Sequence, residues 1–128
     1  MIKPPEITIG KAQLSSLTQQ LDLLLDEEEA DEYGMLRPTQ FAYDTACGIL
    51  IDTATALAAE GLMLPYGCAS TDSEGGVRIE WNCSSSSVRL VVSSSAQKQA
   101  YVYHEVGNEY GTEAATPESL AHWLRSTK

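Results

Sequence analysis

The residues able to carry chemistry are few and widely spaced. The 128-residue chain has two histidines, His104 and His122, and three cysteines, Cys47, Cys68 and Cys83. A nucleophilic mechanism would pair His104 with Cys68, Cys83 or a serine, because a thiol or hydroxyl needs an adjacent base before it attacks. No Gly-x-Ser-x-Gly segment presents a serine on a sharp strand-to-helix turn. His104 also alternates with Val102 and Val106, which makes it an inward, hydrogen-bonded core residue. A metal-dependent nuclease would use Asp72, Glu80 and Glu105, since carboxylates on neighbouring strands can hold Mg²⁺. However, Glu80 is followed by Trp81-Asn82, with no lysine beside it, and an acidic surface repels a polyanionic substrate. Asp72-Ser73-Glu74-Gly75-Gly76 lacks the ligand spacing of a calcium loop. Gly75-Gly76 lacks the strand–loop–helix order of a phosphate cradle. With two distant histidines and no Cys-x-x-Cys pair, the spacing offers no catalytic, cofactor or metal site.

Charge narrows the partners. Eighteen acids face eight bases, for a formal net charge of -10. The bases Lys3, Lys11, Arg37, Arg78, Arg89, Lys98, Arg125 and Lys128 are scattered, with no two adjacent. Nucleic-acid backbones and anionic membranes are bound by clustered bases, so neither is an expected partner. A basic protein is compatible with this balance. Six of the seven residues from Asp26 to Glu32 are acids. Glu27, Glu28 and Glu29 are read either as an acidic lip for a basic partner or as the solvated end of a helix. The segment Met1–Lys11 has no apolar stretch of the secretory type, and no apolar run reaches the roughly 18 residues of a membrane span. The expectation is a cytoplasmic protein with reduced thiols. Cys47 and Cys83 fall in apolar patterns and are expected to be buried.

The elements that must position these residues follow from periodicity. Residues 1–10, with Pro4-Pro5, form an extended arm. Leu14, Leu17, Leu21, Leu24 and Leu25 recur every three or four residues and predict a helix over 11–30. A second helix over 38–60 has Pro38 in its first turn. Its apolar stripe contains Phe41, Ala42, Ala46, Ile49, Leu50, Thr53, Ala54, Leu57 and Ala58, and Gly61 ends it. These two helices form an antiparallel hairpin across a turn at 33–39. The period then changes to two. Val77, Ile79, Trp81 and Cys83 make one strand, Val88, Leu90 and Val92 the next, and Ala100–Val106 a third. Gly75-Gly76 supplies the positive φ of the turn before the first of these strands. Ser84–Ser87 is a polar connection, Asn108–Gly111 a turn, and Thr112–Ala114 a short additional strand. Thr116 caps a last helix, with Pro117 at its first position and Leu120, Trp123 and Leu124 on its apolar face.

The fold class is α+β, with residues 1–128 forming one domain. A helical hairpin over 11–60 packs on an antiparallel meander of three to four strands over 66–114, and a short helix over 116–126 closes the chain. One face of the sheet lies under the long helix. The other is open and carries Arg78, Glu80, Arg89, Tyr101, Tyr103 and Glu105, provided the strands register in simple hairpins. Tyrosine and arginine are enriched where proteins bind one another, although cross-strand Arg–Glu pairs also occur on ordinary solvated sheets.

Three segments carry a family resemblance: Gly34-Met35-Leu36-Arg37-Pro38-Thr39-Gln40-Phe41-Ala42, Ser70-Thr71-Asp72-Ser73-Glu74-Gly75-Gly76-Val77-Arg78-Ile79-Glu80-Trp81, and Leu120-Ala121-His122-Trp123-Leu124. The chain resembles small uncharacterised bacterial proteins, frequent in cyanobacteria. These share a Pro-Thr helix start, a Gly-Gly-(Ile/Val)-x-(Ile/Leu)-Glu-Trp hairpin and a C-terminal Leu-Ala-x-Trp-Leu helix. The resemblance spans about residues 34–126. It bears on the fold and brings no assigned activity.

Three functional readings stand at this point. The first is a small acidic, non-enzymatic protein that binds another protein, with an inhibitory or antitoxin-like role as one form. Its tentative contact residues are Glu27, Glu28, Glu29, Arg78, Glu80, Arg89, Tyr101 and Tyr103. The second is a small-ligand binder or enzyme with a pocket between the second helix and the sheet, near His104 and Trp81. The third is a self-associating structural protein that dimerises through its leucine-striped first helix or a sheet edge.

Overall fold

A computed structural model describes residues 11–25, 37–83 and 85–125. The order is α1 (Lys11–Leu25), α2 (Gln40–Ala59), β1 (Cys68–Thr71), β2 (Val77–Cys83), β3 (Ser86–Val92), β4 (Tyr101–Val106), β5 (Glu109–Ala114) and α3 (Pro117–Arg125). The strands form one antiparallel sheet in the order β1-β2-β3-β4-β5. The class is therefore α+β, but the meander has five strands where the apolar alternation indicated three to four.

The sheet is asymmetric across its faces. Val77, Ile79, Trp81, Val88, Leu90, Val92 and Val102 are all no more than 1% exposed. They share one parity through the register pairs Ile79↔Leu90, Trp81↔Val88 and Leu90↔Val102. Against them pack Leu17 and Leu21 of α1, Ala42, Ala46, Leu50 and Leu57 of α2, and Leu120 and Leu124 of α3. Burial of each large apolar side chain contributes roughly 1.5–3 kcal/mol, so this single layer supplies the main driving force for folding.

Local chemistry sets the helix ends. Thr39 is the N-cap of α2, with its Oγ1 accepting from Ala42 N–H at 3.1 Å. Pro38 consequently stands just before the cap and not in the first turn. At the other end, Gly61 (φ +73°) donates to Ala58 O and Leu62 to Leu57 O, both at 2.9 Å. That pair of bonds is a Schellman motif, and only a residue free to take positive φ fits its left-handed position. In α3, Ser119 N–H donates to Thr116 Oγ1 while Thr116 N–H donates to Ser119 Oγ, each at 3.0 Å. This is a reciprocal cap of the kind that satisfies two otherwise orphaned donors. Arg125 of α3 holds Glu60 at the end of α2 through two guanidinium nitrogens.

Several expectations change. α2 packs more extensively on α3 than on α1, and α1 lies along β1, so the first two helices are not a self-contained hairpin. Gln20 explains the position of α1: its Oε1 accepts from Ala69 N–H at 2.7 Å and its Nε2 donates to Gly67 O at 3.1 Å. The turn before β5 is Gly107-Asn108, with Gly107 at φ +63°, and the strand has begun by Glu109. β3 likewise starts at Ser86, inside the polar connection. At the first hairpin only Gly75 takes positive φ, at +84°. Gly76 is needed for space, because a Cβ there would stand 2.5 Å from Val92 O. The arm over 1–10, the end of the first helix over 26–30 and most of the following turn lie outside the described residues. Glu27, Glu28 and Glu29 lie there with them.

Candidate functional site

The open face is built by the strands that bury their alternate residues. β2 places Arg78 and Glu80 on it, β3 places Arg89 and Val91, and β4 places Tyr101, Tyr103 and Glu105. The register aligns Glu80, Arg89, Tyr103 and Thr112 in one cross-strand row and Arg78, Val91, Tyr101 and Ala114 in the next. All six residues anticipated for this face therefore share it. Along the first row, Arg89 Nε lies 3.2 Å from Glu80 Oε1, in an ion pair without hydrogen-bond alignment. The Arg89 guanidinium carbon stands 5.8 Å from the centroid of the Tyr103 ring, within cation–π range. Tyr103 OH donates to Glu105 Oε1 at 3.0 Å, and this bond to a carboxylate holds the phenol above its usual pKa. Arg89 and Tyr103 are thus oriented by neighbouring side chains.

Tyr110 also belongs to this face, although Asn108–Gly111 reads as a turn in the sequence. It stands opposite Glu105 and is 77% exposed. The available signal was Gly107-Asn108, a pair suited to a two-residue hairpin turn that would have put Tyr110 in register. At the other end of the face, a recess of about 180 Å³ is lined by Asp72, Glu74, Arg78, Lys98 and Tyr101. Lys98 Nζ is 3.8 Å from Glu74 Oε2. Asp72 Oδ1 accepts from Glu74 N–H at 2.8 Å and Gly76 N–H at 2.9 Å, so that carboxylate shapes the turn.

The inner face brings the two histidines to a single tryptophan. His104 is 8% exposed and stacks on Trp123, with centroids 3.5 Å apart and planes at 6°. His122 meets the same ring edge-on at 4.7 Å. Trp123 Nε1 donates to Glu113 Oε1 at 3.0 Å. His104 points inward as expected, but its Nδ1 has no hydrogen-bond partner among the described residues, so it is not the satisfied core histidine anticipated. The space between α2 and the sheet is filled by Leu50, Leu57, Ile79 and Leu90, each no more than 1% exposed. Trp81 is closed in by its Nε1 bond to Pro65 O at 2.9 Å. Among the described residues, no group of three or more His, Cys, Asp or Glu side chains is placed to hold a metal ion.

The cysteines depart from expectation. Cys68 and Cys83 are exposed and Cys47 is half-buried, with none in a disulfide. Cys83 continues the inward parity of Trp81, but it closes β2 at the turn, beyond the buried layer. Burial raises the pKa of the Cys47 thiol, while a hydrogen bond with Tyr43 acts in the opposite direction. The Tyr43 hydroxyl donates to Asp22 Oδ1, linking α2 to α1, and that bond together with burial raises the phenol's pKa well above its usual range.

A recess of about 570 Å³ is lined by Leu25, Arg37, Thr39 and Glu74 among others. Among the described residues no helix is long and apolar enough to cross a membrane. Comparison with protein-family models, with curated proteins and with solved structures finds no match.

Proposed function

We propose that this chain is a non-enzymatic binding protein whose ligand is another protein, held on the open face of the sheet. The observation that supports it is the one-sided burial: all three helices cover one face, and the other carries Arg78 of β2, Tyr101 of β4 and Tyr110 of β5 exposed. Aromatic and guanidinium side chains carry much of the energy of protein interfaces, since they bury a large area at a small cost in rotamer entropy. The Glu80–Arg89–Tyr103 row adds preorganisation, which lowers the ordering cost of binding. Arg78 and Arg89 balance Glu80 and Glu105, so the face itself is near neutral. The acidic run at Glu27–Glu29 favours a basic partner. An inhibitory or antitoxin-like role is one form such binding takes, in a cytoplasmic setting.

The test is affinity capture from a native extract with the wild-type chain and with an Arg78→Glu, Tyr101→Ala double variant. A stoichiometric protein retained by the first and lost by the second supports the reading. Equal retention by both, or retention by neither, refutes it.

A further inference from the structure

The sheet has two edges, and the structure treats them differently. At β1 part of the outward main chain is occupied: the Gln20 amide satisfies Ala69 N–H, and Gly67 O just before the strand, as a neighbouring strand would. At β5 the only such cover among the described residues is at the strand's end, where Ala114 O accepts from Ser119 Oγ at 2.8 Å; nothing covers the main chain of Tyr110 or Thr112. Five of its six residues are exposed and the sixth, Gly111, is half-buried. The direction of its main-chain groups follows from the ladder. Ala115 N–H donates to Ala100 O at 3.0 Å, and bonded pairs alternate with non-bonded ones in antiparallel strands. Val102/Glu113, His104/Gly111 and Val106/Glu109 are therefore the bonded pairs with β4. The N–H and C=O groups of Tyr110, Thr112 and Ala114 consequently face away from the sheet.

The side chains state what can pair there. On the helix side of β5 stand Glu109 and Glu113; on the open side stand Tyr110, Thr112 and Ala114. A second copy of the chain is a poor occupant. Pairing β5 with itself so that Thr112 faces Thr112 brings Glu109 and Glu113 diagonal to Glu113 of the other copy. The neighbouring registers set Glu113 opposite Glu113 or opposite Glu109. Like charges opposed across strands are destabilising, and inward-facing charge is a known protection of sheet edges. The same two carboxylates favour a strand with bases at alternate positions.

We propose that β5 is a strand-addition site for an extended basic segment of a partner protein. Lysine or arginine side chains of that segment face Glu109 and Glu113, and its main chain bonds to the N–H and C=O of Tyr110 and Thr112 and to the N–H of Ala114. The inference rests on the reading of the chain as a protein binder but uses the edge of the sheet, not its face.

The test uses a fluorescein-labelled Lys-Val-Lys-Val-Lys-Val-Lys peptide and its counterpart with glutamate for lysine, followed by anisotropy and amide hydrogen exchange. The lysine peptide is expected to bind at least about tenfold more tightly than the glutamate one, to weaken as salt rises, and to slow exchange at Tyr110, Thr112 and Ala114. A Thr112→Pro variant removes an outward N–H that the fold does not use, and edge strands tolerate proline, so binding should be lost with the circular dichroism spectrum retained. A lysine peptide methylated on the backbone nitrogens that face the edge should also fail, which tests the same bonds without altering the protein. Equal binding of the two peptides, retained binding to Thr112→Pro, or protection confined to other amides overturns the proposal. So does self-association of the free chain that protects these three amides, since a second copy would then be the occupant. The Arg78→Glu, Tyr101→Ala variant should bind the lysine peptide normally. Failure of the peptide with capture on the face intact therefore overturns the edge alone, and the converse overturns the face alone.

Discussion

Replacing Gln20 with alanine removes both hydrogen bonds that dock α1 on the edge of β1. The Gln20 amide accepts from Ala69 N–H at 2.7 Å and donates to Gly67 O at 3.1 Å. Each such bond contributes about 0.5–1.5 kcal/mol net, and both are only part-buried, so water recovers some of the loss. Alanine also raises helix propensity by a few tenths of a kcal/mol. The expected net loss is about 1–2 kcal/mol. With a urea slope of about 2 kcal/mol/M, the unfolding midpoint falls by about 0.5–1 M. Hydrogen exchange at the Ala69 amide should accelerate with it, because that donor then faces water. Gln20→Glu refines the test. A carboxylate still accepts from Ala69 N–H but opposes Gly67 O, so this variant is destabilised at neutral pH. The protonated acid restores the donor and is favoured in the folded state. The folded-state pKa is then raised, and stability returns as pH falls through the carboxylate range. A midpoint shift below about 0.2 M for Gln20→Ala, with Ala69 exchange unchanged, would refute the account of how α1 is held.

Three further outcomes are expected. Gly76→Ala should cost about 2–3 kcal/mol in chemical denaturation, since its Cβ would stand 2.5 Å from Val92 O, while Gly75→Ala should cost about 1–2 kcal/mol through its φ of +84° alone. Native protein treated with Ellman's reagent should show two fast thiols, Cys68 and Cys83, and one slow thiol, Cys47, with Cys47→Ala abolishing the slow phase. In an ultraviolet pH titration Tyr43 and Tyr103 should ionise last, because both are hydrogen-bonded to carboxylates. Their folded-state pKa values are raised, so the native state holds protons that the unfolded chain releases above about pH 10, and stability falls as pH rises beyond that point. Tyr43→Phe should remove one late-ionising phenol and lessen that fall.

What was legible in the sequence had a strong local cause. Val77, Ile79 and Trp81 alternate with Arg78 and Glu80, and a sheet buried on one face demands that pattern; the same alternation placed Arg89, Tyr101 and Tyr103 on the open side. Thr116 was readable as a boundary because a hydroxyl beside free helix N–H groups can satisfy them, whereas the N-cap of α2 fell to Thr39, one residue past the start that Pro38 suggested. β1 and β5 were not readable in full. Cys-Ala-Ser-Thr and Glu-Tyr-Gly-Thr-Glu-Ala have no strong apolar period, and each is a strand because a neighbour's main chain offers it hydrogen bonds. Tyr110 was lost with β5, and with it the aromatic at the edge of the open face.

The sequence by itself determined the class of the fold and the inward and outward sides of β2, β3 and β4. These are local matters, settled by period, cap and residue type. The tertiary structure alone decided that Gln20 covers part of one sheet edge while, among the described residues, the main chain of Tyr110 and Thr112 at the other stays uncovered. It also brought His104, His122 and Glu113 to one indole and left Cys83 outside the core. Each of these depends on which distant segments meet, and contacts between distant segments are set by how the whole apolar layer packs, which leaves no trace in local spacing.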